Sequence, residues 1–208
     1  MRFKVLAAAI FSAFLAIGTA EARTLNLVGF GDSLMAGYEL PPEEAFPARL
    51  ETLLKQKGHD VVIANAGVSG DTSADGLARI DWSVPDGTDG VILELGANDA
   101  LRGLSPEESR KNIEAMILTL KERGIPVLLA GILAPPNMGS DYESRFNPLF
   151  KELAEKHDLT FYPFFLDGVT LNPQNQLKDG MHPNGAGTAI MAKKFLPTAE
   201  KFLATLKP

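Results

Sequence analysis

The sequence contains no cysteine among its 208 residues. This absence excludes a disulfide framework, a thiol nucleophile and a metal site built on thiolates. Histidine is also scarce, because only His59, His157 and His182 occur, and no two of them have the spacing of metal ligands. We therefore expect neither a metal ion nor any other cofactor.

Clusters of basic residues are absent as well. The formal net charge is −6, whereas a nucleic-acid groove requires clustered lysine and arginine side chains. Gly29-Phe30-Gly31 begins like a dinucleotide loop, but Leu34 stands where the third glycine is required, and no Walker loop occurs. The Gly-x-Ser-x-Gly motif of conventional α/β-hydrolases is missing too. These absences argue against a nucleic-acid partner, a nucleotide cofactor and that hydrolase class.

The sequence lacks an apolar run of the roughly 20 residues that a membrane-spanning helix needs. Its amino terminus instead has the three parts of an export signal: the cations Arg2 and Lys4, an apolar run over residues 5–17, and the small-x-small pattern Ala20-Glu21-Ala22. We expect cleavage before Arg23 and a periplasmic or secreted protein without a stable membrane anchor. An uncleaved anchor is the alternative. Residues 1–22 are thus predicted to be the signal, and residues 23–208 a single domain.

Short apolar runs alternate with amphipathic segments along the rest of the chain. The predicted strands are residues 24–31, 61–64, 90–95, 126–133 and 160–164. The predicted helices are residues 43–57, 72–82, 105–123, 142–157 and 184–206, with a capping box from Ser105 to Glu108 and a kink or break at Pro197. This alternation predicts an α/β fold with a five-stranded parallel sheet that is covered on both faces.

Two side chains in these elements need an explanation. Glu94 lies inside an apolar strand, where a buried carboxylate requires a partner, and Arg79 or Arg102 could supply it. Trp82 is expected to pack against the protein interior.

Polar, glycine-rich segments follow the first three predicted strands and occur again in the last loop. They are residues 31–34, 65–72, 96–99 and 179–183. Ligands of such sheets bind outside the carboxyl ends of the strands. We therefore expect these segments to gather at one edge of the sheet.

The residue types in these segments fit acyl transfer by a serine. Ser33 can supply the hydroxyl, His182 the base, and Asp179 the acceptor that orients the imidazole. The Ser33 and Gly70 backbone N–H groups and the Asn98 amide can donate to an oxyanion. Taken singly, each residue has a structural interpretation as a cap, a turn residue or a surface residue. Their joint occurrence at the ends of the strands favours catalysis.

The same segments resemble the sequence blocks of the GDSL, or SGNH, hydrolase family. The matching stretches are Gly31-Asp32-Ser33-Leu34, the region around Gly70, Gly96-Ala97-Asn98-Asp99 and Asp179-Gly180-Met181-His182-Pro183. The order and spacing of the blocks resemble most closely the small periplasmic thioesterase, lysophospholipase and arylesterase group. The resemblance implies a flavodoxin-like three-layer α/β/α sandwich and a catalytic set of Ser33, Gly70, Asn98 and His182, with Asp179 completing the triad.

The resemblance also implies an exported serine hydrolase that cleaves carboxylic esters or thioesters, including lysophospholipids. We expect Leu101 and Leu104, which follow Asn98, to line the acyl side of the site, together with Met138, Phe146 or Leu177 from longer loops. A carbohydrate acetylesterase of the same superfamily is the alternative, although aromatic residues make up only 8% of the chain. A monomer is expected because no long apolar surface stripe is evident.

Overall fold

The computed structural model describes residues 23–206, so the predicted export signal lies outside the described residues. Five strands form one sheet in which every pair of neighbours is parallel. They are β1 (Leu25–Gly31), β2 (Val61–Gly67), β3 (Gly90–Leu93), β4 (Val127–Ala130) and β5 (Thr160–Tyr162). The order across the sheet is β2-β1-β3-β4-β5. The predicted parallel sheet is confirmed.

Eight α-helices connect and flank the strands within the described residues. They are α1 (Ser33–Ala36), α2 (Phe46–Gln56), α3 (Ser73–Ser83), α4 (Ala97–Leu101), α5 (Pro106–Glu122), α6 (Ser140–Phe146), α7 (Leu149–His157) and α8 (Gly185–Leu203). Helices α2 and α8 pack together on one face of the sheet, and α3, α5 and α7 cover the other face. The result is the predicted three-layer sandwich. No helix within residues 23–206 is long and apolar enough to cross a membrane.

The central strands explain why the sheet is covered on both sides. Strands β3 and β4 are the apolar runs Gly-Val-Ile-Leu and Val-Leu-Leu-Ala, and every one of their residues is buried. Parallel strands with helices on both faces have such continuous apolar sequences, because neither side of the strand meets water. The polar segments lie beyond the carboxyl ends of the strands, outside these apolar runs.

Proline and capping residues account for the main departures from the predicted helices. The predicted helix over 142–157 is two helices, α6 and α7, because Pro148 has no backbone N–H to continue the helical hydrogen bonds. Pro197 does not split α8, which continues to Leu203. Ser105 caps α5 by accepting from the Glu108 N–H, but the Glu108 carboxylate pairs with Lys111 instead of completing a capping box.

Trp82 does not pack against the protein interior. Its side chain is 75% exposed in the last turn of α3. The expectation that it is a packing residue is therefore wrong. Trp82 is followed by only one more residue of α3, so no further helical turn extends the buried face of the helix beyond it.

Glu94 follows β3 and is buried without an ion pair. Among the described residues, neither of its carboxylate oxygens has a hydrogen-bond partner. The expected arginine partners are wrong, because Arg79 binds Asp71 and Arg102 donates to the Gly70 carbonyl. A Cβ atom on Gly31 would lie 2.6 Å from Glu94 Oε2, so glycine at position 31 leaves room for this carboxyl group.

Burial dominates the electrostatics of Glu94. Loss of solvation raises its pKa well above the usual value of 4.5, and the nearby charge of Asp32 raises it further. The Asp32 N–H lowers the pKa, but it does not meet the geometry of a hydrogen bond to either carboxylate oxygen. A carboxyl group without a cationic partner in an apolar interior is stable when it is protonated. Burial therefore favours the protonated form of Glu94 in the folded protein.

The raised pKa of Glu94 makes folding stability depend on pH. A group that binds its proton more tightly in the folded state stabilises the fold fully below its unfolded pKa, and this contribution is lost as pH rises towards its folded pKa. The free energy of unfolding should therefore fall above about pH 4.5 in the wild type, and fall less in Glu94→Gln, which mimics the neutral acid. Urea unfolding of both proteins from pH 4 to pH 9 measures the difference.

The control for this experiment is Glu155→Gln, because the Glu155 side chain is 66% exposed on α7. Its unfolding free energy should follow the wild-type pH dependence. Parallel curves for Glu94→Gln and the wild type would mean that Glu94 is ionised in the folded protein.

Candidate active site

Ser33 is the first residue of α1, immediately beyond the carboxyl end of β1. Asp32 caps this short helix, since its Oδ1 accepts from the Leu34 N–H at 3.0 Å. The neighbouring strand holds the other end of α1 through a hydrogen bond from the Asn65 amide to the Ala36 carbonyl. A Cβ atom on Gly67 would lie 2.2 Å from the Ala36 nitrogen, so only glycine allows this close approach. The Ser33 side chain is thus fixed at the sheet edge.

His182 reaches Ser33 from the opposite end of the chain. Its Nε2 lies 2.8 Å from Ser33 Oγ, and its Nδ1 lies 2.6 Å from Asp179 Oδ2. Asp179 Oδ1 also accepts from the backbone N–H groups of Met181 and His182. Burial raises the pKa of Asp179, but the hydrogen bonds from the His182 ring and these two N–H groups outweigh it and hold the pKa below its usual value. An ionised Asp179 places the imidazole proton on Nδ1 and leaves Nε2 free to accept from Ser33.

The loop that carries His182 is anchored to the start of α8. The Asn184 Oδ1 atom caps this helix by accepting from the Ala186 and Gly187 N–H groups. The same side chain donates its amide to the carbonyls of Gln174 and Gln176. The Asn184 side chain therefore joins the loop to α8, and these hydrogen bonds hold the loop that carries the His182 imidazole.

Asn98 lies at the start of α4 and faces the same edge. Its amide nitrogen donates to the Asp71 carbonyl at 2.9 Å and approaches Asp32 Oδ2 at 3.3 Å. Asp71 is itself fixed by a 2.6 Å hydrogen bond from Arg79 Nε, while the other Arg79 nitrogens donate to the carbonyls of Gly31 and Ala66. The half-buried Asn98 amide is thus oriented by groups that follow both β1 and β2.

Asp32, which directly precedes Ser33, also has a raised pKa. Complete burial raises its pKa to about 7, although hydrogen bonds from the Leu34 N–H and the Asn98 amide lower it. Asp99 lies in α4, which follows β3. Its carboxylate accepts hydrogen bonds from the Ser73 N–H and from the hydroxyls of Ser73 and Ser109. Both carboxyl groups fix loop geometry through these hydrogen bonds.

Gly70 follows β2 in a left-handed conformation, with a φ of +90°. Its carbonyl accepts from Arg102, which joins the β2 loop to the end of α4. Among the described residues, neither the Gly70 N–H nor the Ser33 N–H donates to a protein acceptor. Both remain available to a ligand, but Gly70 does not line the cleft that contains Ser33.

A cleft of about 530 Å³ opens beside Ser33, and Asn98, Asp179 and His182 line it as well. Leu101 lines the cleft, whereas Leu104 does not, and its carbonyl accepts from the Tyr142 hydroxyl. Met138, Phe146 and Leu177 are also outside the lining. The opposite wall consists of residues that follow β4 and β5, chiefly Ile132, Leu133, Ala134, Pro135, Phe164 and Leu166. The cleft is therefore mainly apolar.

Two features of the active site escaped sequence reasoning. The wall after β4 was missed because residues 131–133 continue an apolar run and read as strand, although β4 ends at Ala130. Tyr38 was missed although its ring lies 4.5 Å from the His182 imidazole, centroid to centroid. Its position shortly after β1 was the available signal, because that segment shares the edge of the sheet with Ser33.

Comparison with known proteins agrees with this geometry. The family model described as "GDSL-like Lipase/Acylhydrolase family" matches residues 30–190. An arylesterase of Vibrio mimicus is 39% identical over 171 residues, which cover 82% of this chain and 86% of that protein. The thioesterase 1/protease 1/lysophospholipase L1 of Escherichia coli K12 is 36% identical over 176 residues, or 84% of this chain and 82% of that protein.

Solved structures lead to the same group of proteins. The crystal structure of AlinE4, described as an SGNH-hydrolase family esterase, has a TM-score of 0.73 and 44% sequence identity, and covers 88% of this chain and 98% of that one. The family match spans the segments that carry Ser33, Asn98 and His182. The chain belongs to the GDSL-like lipase/acylhydrolase family, the SGNH hydrolases.

Proposed function

We propose that this protein is a serine esterase in which Ser33 is the nucleophile, His182 the general base and Asp179 the residue that orients the base. The observation that carries the proposal is the continuous hydrogen-bond chain from Ser33 Oγ through the imidazole to Asp179, with distances of 2.8 and 2.6 Å. Free serine is a weak nucleophile, and a neighbouring base at this distance activates it.

The reaction runs in two halves. Ser33 Oγ bonds to the ester or thioester carbonyl carbon while its proton passes to His182 Nε2, and the carbonyl oxygen becomes an oxyanion. Collapse of this intermediate breaks the bond to the alcohol or thiol, which takes the proton from His182. Water then attacks the acyl-enzyme, His182 accepts the water proton, and a second collapse returns the proton to Ser33 as the carboxylic acid leaves.

We assign stabilisation of the oxyanion to the Ser33 N–H, the Gly70 N–H and the Asn98 amide. The two backbone groups make no hydrogen bond to protein acceptors among the described residues, which supports this role. The Asn98 amide donates to the Asp71 carbonyl at 2.9 Å and approaches Asp32 at 3.3 Å, so in our assignment it exchanges the longer contact with Asp32 for the oxyanion. The two backbone donors are oriented before the reaction, and such donors stabilise the transition state without a further cost of reorganisation.

The cleft lining supports substrates with apolar acyl groups. Its walls are mostly aliphatic, and Phe164 is the one aromatic side chain besides the His182 ring among the lining residues. A carbohydrate acetylesterase would require a polar, aromatic-lined cleft, so this observation favours acyl esters, acyl thioesters or lysophospholipids over acetylated sugars. We propose that Leu101 contacts the acyl chain, whereas Leu104 lies outside the lining.

We further propose that residues 1–22 direct export and that the mature, monomeric protein begins at Arg23 in the periplasm or outside the cell. The signal-like pattern of the amino terminus supports export, and the net charge of the chain does not favour binding to anionic membranes. Amino-terminal sequencing of the exported protein tests the cleavage position.

Replacement of the nucleophile gives the primary test. Ser33→Ala should lose nearly all hydrolysis of p-nitrophenyl esters, acyl thioesters and lysophospholipids, because it removes the hydroxyl that His182 activates. Rates on esters of increasing chain length, measured for the wild type and the variant, provide the readout. Activity that survives in folded Ser33→Ala would exclude the triad. A folded wild type that cleaves only acetylated sugars would favour the carbohydrate esterase.

Removal of the Asn98 amide tests the oxyanion site. Asn98→Ala should raise the activation free energy by roughly 2.7–4 kcal/mol, the usual effect of losing one oxyanion donor. The loss should appear in kcat with little change in KM, since the donor acts mainly in the transition state. Steady-state kinetics with a soluble ester measure both constants, and full kcat in a correctly folded variant would refute the assignment.

Leu101→Asp tests the acyl side of the cleft. A carboxylate at this wall should reduce kcat/KM for long acyl chains more than for acetyl esters, because only long chains would have to pack against the charge. The matched control is Leu118→Asp: Leu118 is equally exposed, at 44%, but lies on α5 outside the cleft. An unchanged chain-length profile in Leu101→Asp would remove Leu101 from the acyl site.

A further inference from the structure

The aromatic ring of Tyr38 stacks against the imidazole of His182. The two ring centroids are 4.5 Å apart, and the ring planes are inclined by 35°. His182 lines the substrate cleft whereas Tyr38 does not, so the tyrosine contacts the imidazole outside the cavity that holds the substrate. Tyr38 is 39% exposed and does not belong to the hydrophobic core. The contact with His182 therefore calls for an explanation other than core packing.

The backbone of Tyr38 is bonded to the nucleophile. The N–H groups of Gly37 and Tyr38 both donate to the Ser33 carbonyl, at 3.1 and 3.2 Å. Gly37 makes this turn possible, because its φ is +79° and a Cβ atom on it would lie 2.6 Å from the Ala45 Cβ. The turn that ends α1 therefore fixes the backbone of Tyr38 relative to Ser33.

The same turn retains an uncommon backbone conformation. Glu39, directly after Tyr38, lies in the left-handed region with a φ of +56°, which is disfavoured for a residue other than glycine. A hydrogen bond from the Leu40 N–H to the Gly37 carbonyl closes the turn. Strained conformations persist where the surrounding structure determines them, and they are typical of functional positions. The turn thus points to a role for the side chain that it presents to His182.

Two hydrogen bonds hold the His182 imidazole in the free enzyme. Ser33 Oγ lies 2.8 Å from Nε2, and Asp179 Oδ2 lies 2.6 Å from Nδ1. The lone pair and the N–H bond of an imidazole lie in the plane of its ring, so these hydrogen bonds oppose movement within that plane most strongly. Tyr38 opposes movement out of the plane, because its ring covers one face of the imidazole.

Acylation of Ser33 removes one of the two hydrogen bonds. Oγ is then the oxygen of an ester, so it has no proton to donate to Nε2. Of the side-chain contacts described above, those with Asp179 and Tyr38 remain. His182 must still accept a proton from the water that attacks the acyl carbon, and return it to Oγ when the bond between Oγ and that carbon breaks. The need for a further contact on the imidazole is therefore greatest in the acyl-enzyme.

We propose that Tyr38 is a positioning residue that holds the His182 imidazole during hydrolysis of the acyl-enzyme. Its ring restricts the imidazole on one face while water replaces Ser33 as the group that donates to Nε2. The ring also stabilises the imidazolium that forms when His182 takes the water proton, because the face of an aromatic ring attracts a cation. The inference rests on the proposed function, since it requires an acyl-enzyme on Ser33.

The test measures the two half-reactions separately with a saturating p-nitrophenyl ester, whose good leaving group favours fast acylation. Acid quenching during steady-state turnover, followed by intact-mass measurement, gives the fraction of enzyme that is acylated. This fraction and kcat together give the rate constants of acylation and deacylation. Tyr38→Ala should slow deacylation by roughly tenfold and acylation by less than about threefold. The acylated fraction should therefore rise, and KM should not rise, because Tyr38 lies outside the cleft.

Conservative and remote variants serve as controls. Tyr38→Phe keeps the ring and should retain both wild-type rate constants. Tyr38→Leu keeps an apolar side chain that supports folding but lacks the flat ring, so its deacylation should remain slower than that of the wild type. Trp82→Ala removes an aromatic side chain that is 75% exposed outside the cleft, and both of its rate constants should match the wild type. Thermal unfolding gives the Tm of every variant.

Three results would overturn the proposal. Unchanged rate constants in Tyr38→Ala would show that the stacking has no role in the reaction. Equal slowing of both half-reactions together with a lower Tm would make Tyr38 a structural residue. Slow deacylation in Tyr38→Phe would assign the effect to the hydroxyl instead of the ring.

Failure of the proposed function has a different signature. It would appear in the wild type, as an active protein whose Ser33 takes neither the acyl group nor a fluorophosphonate label. That result would refute the serine mechanism and this inference with it. A wild type that is acylated on Ser33, with a Tyr38→Ala variant that deacylates at the normal rate, would refute the role of Tyr38 alone.

Discussion

The hydrogen bond between Ser33 Oγ and His182 Nε2 joins two residues that are 149 positions apart in the chain. It forms only if β1 and the loop before α8 meet at the same edge of the sheet. Parallel strands meet this requirement because all of their carboxyl ends lie on one side. The apolar sequences of β3 and β4 then hold the sheet between two helical layers. The active-site geometry is therefore a consequence of the topology as much as of the individual side chains.

Buried polar groups fix the positions of the active-site side chains more precisely than the sheet topology alone does. Arg79 holds the Asp71 side chain and two backbone carbonyls, and the Asp71 carbonyl in turn orients the Asn98 amide. Asp32 connects the cap of α1 to the same amide. Glu94 is buried beside Gly31 without a cationic partner, and loss of solvation raises its pKa.

The sequence predicted the number and approximate bounds of the strands because apolar runs of that length have few alternatives, whereas their order across the sheet comes from the structure. The positions of Ser33, Asn98, Asp179 and His182 followed from the rule for the carboxyl ends of parallel strands, and the structure brings all four to one cleft. Tertiary contacts were harder to predict. The partner of Arg79 depends on which loops meet, and the break at Pro148 overrides the helical periodicity around it. The lining contributed by the loops after β4 and β5 has no short-range signature at all.

The central claim is that Ser33 is the nucleophile activated by His182, and covalent labelling tests it most directly. The wild-type protein is treated with a fluorophosphonate, its intact mass is measured, and the modified peptide is sequenced. The account predicts a single adduct on Ser33, its absence in Ser33→Ala, and much slower labelling in His182→Ala. An active, folded protein that is labelled at another residue, or labelled equally fast without His182, would contradict the account.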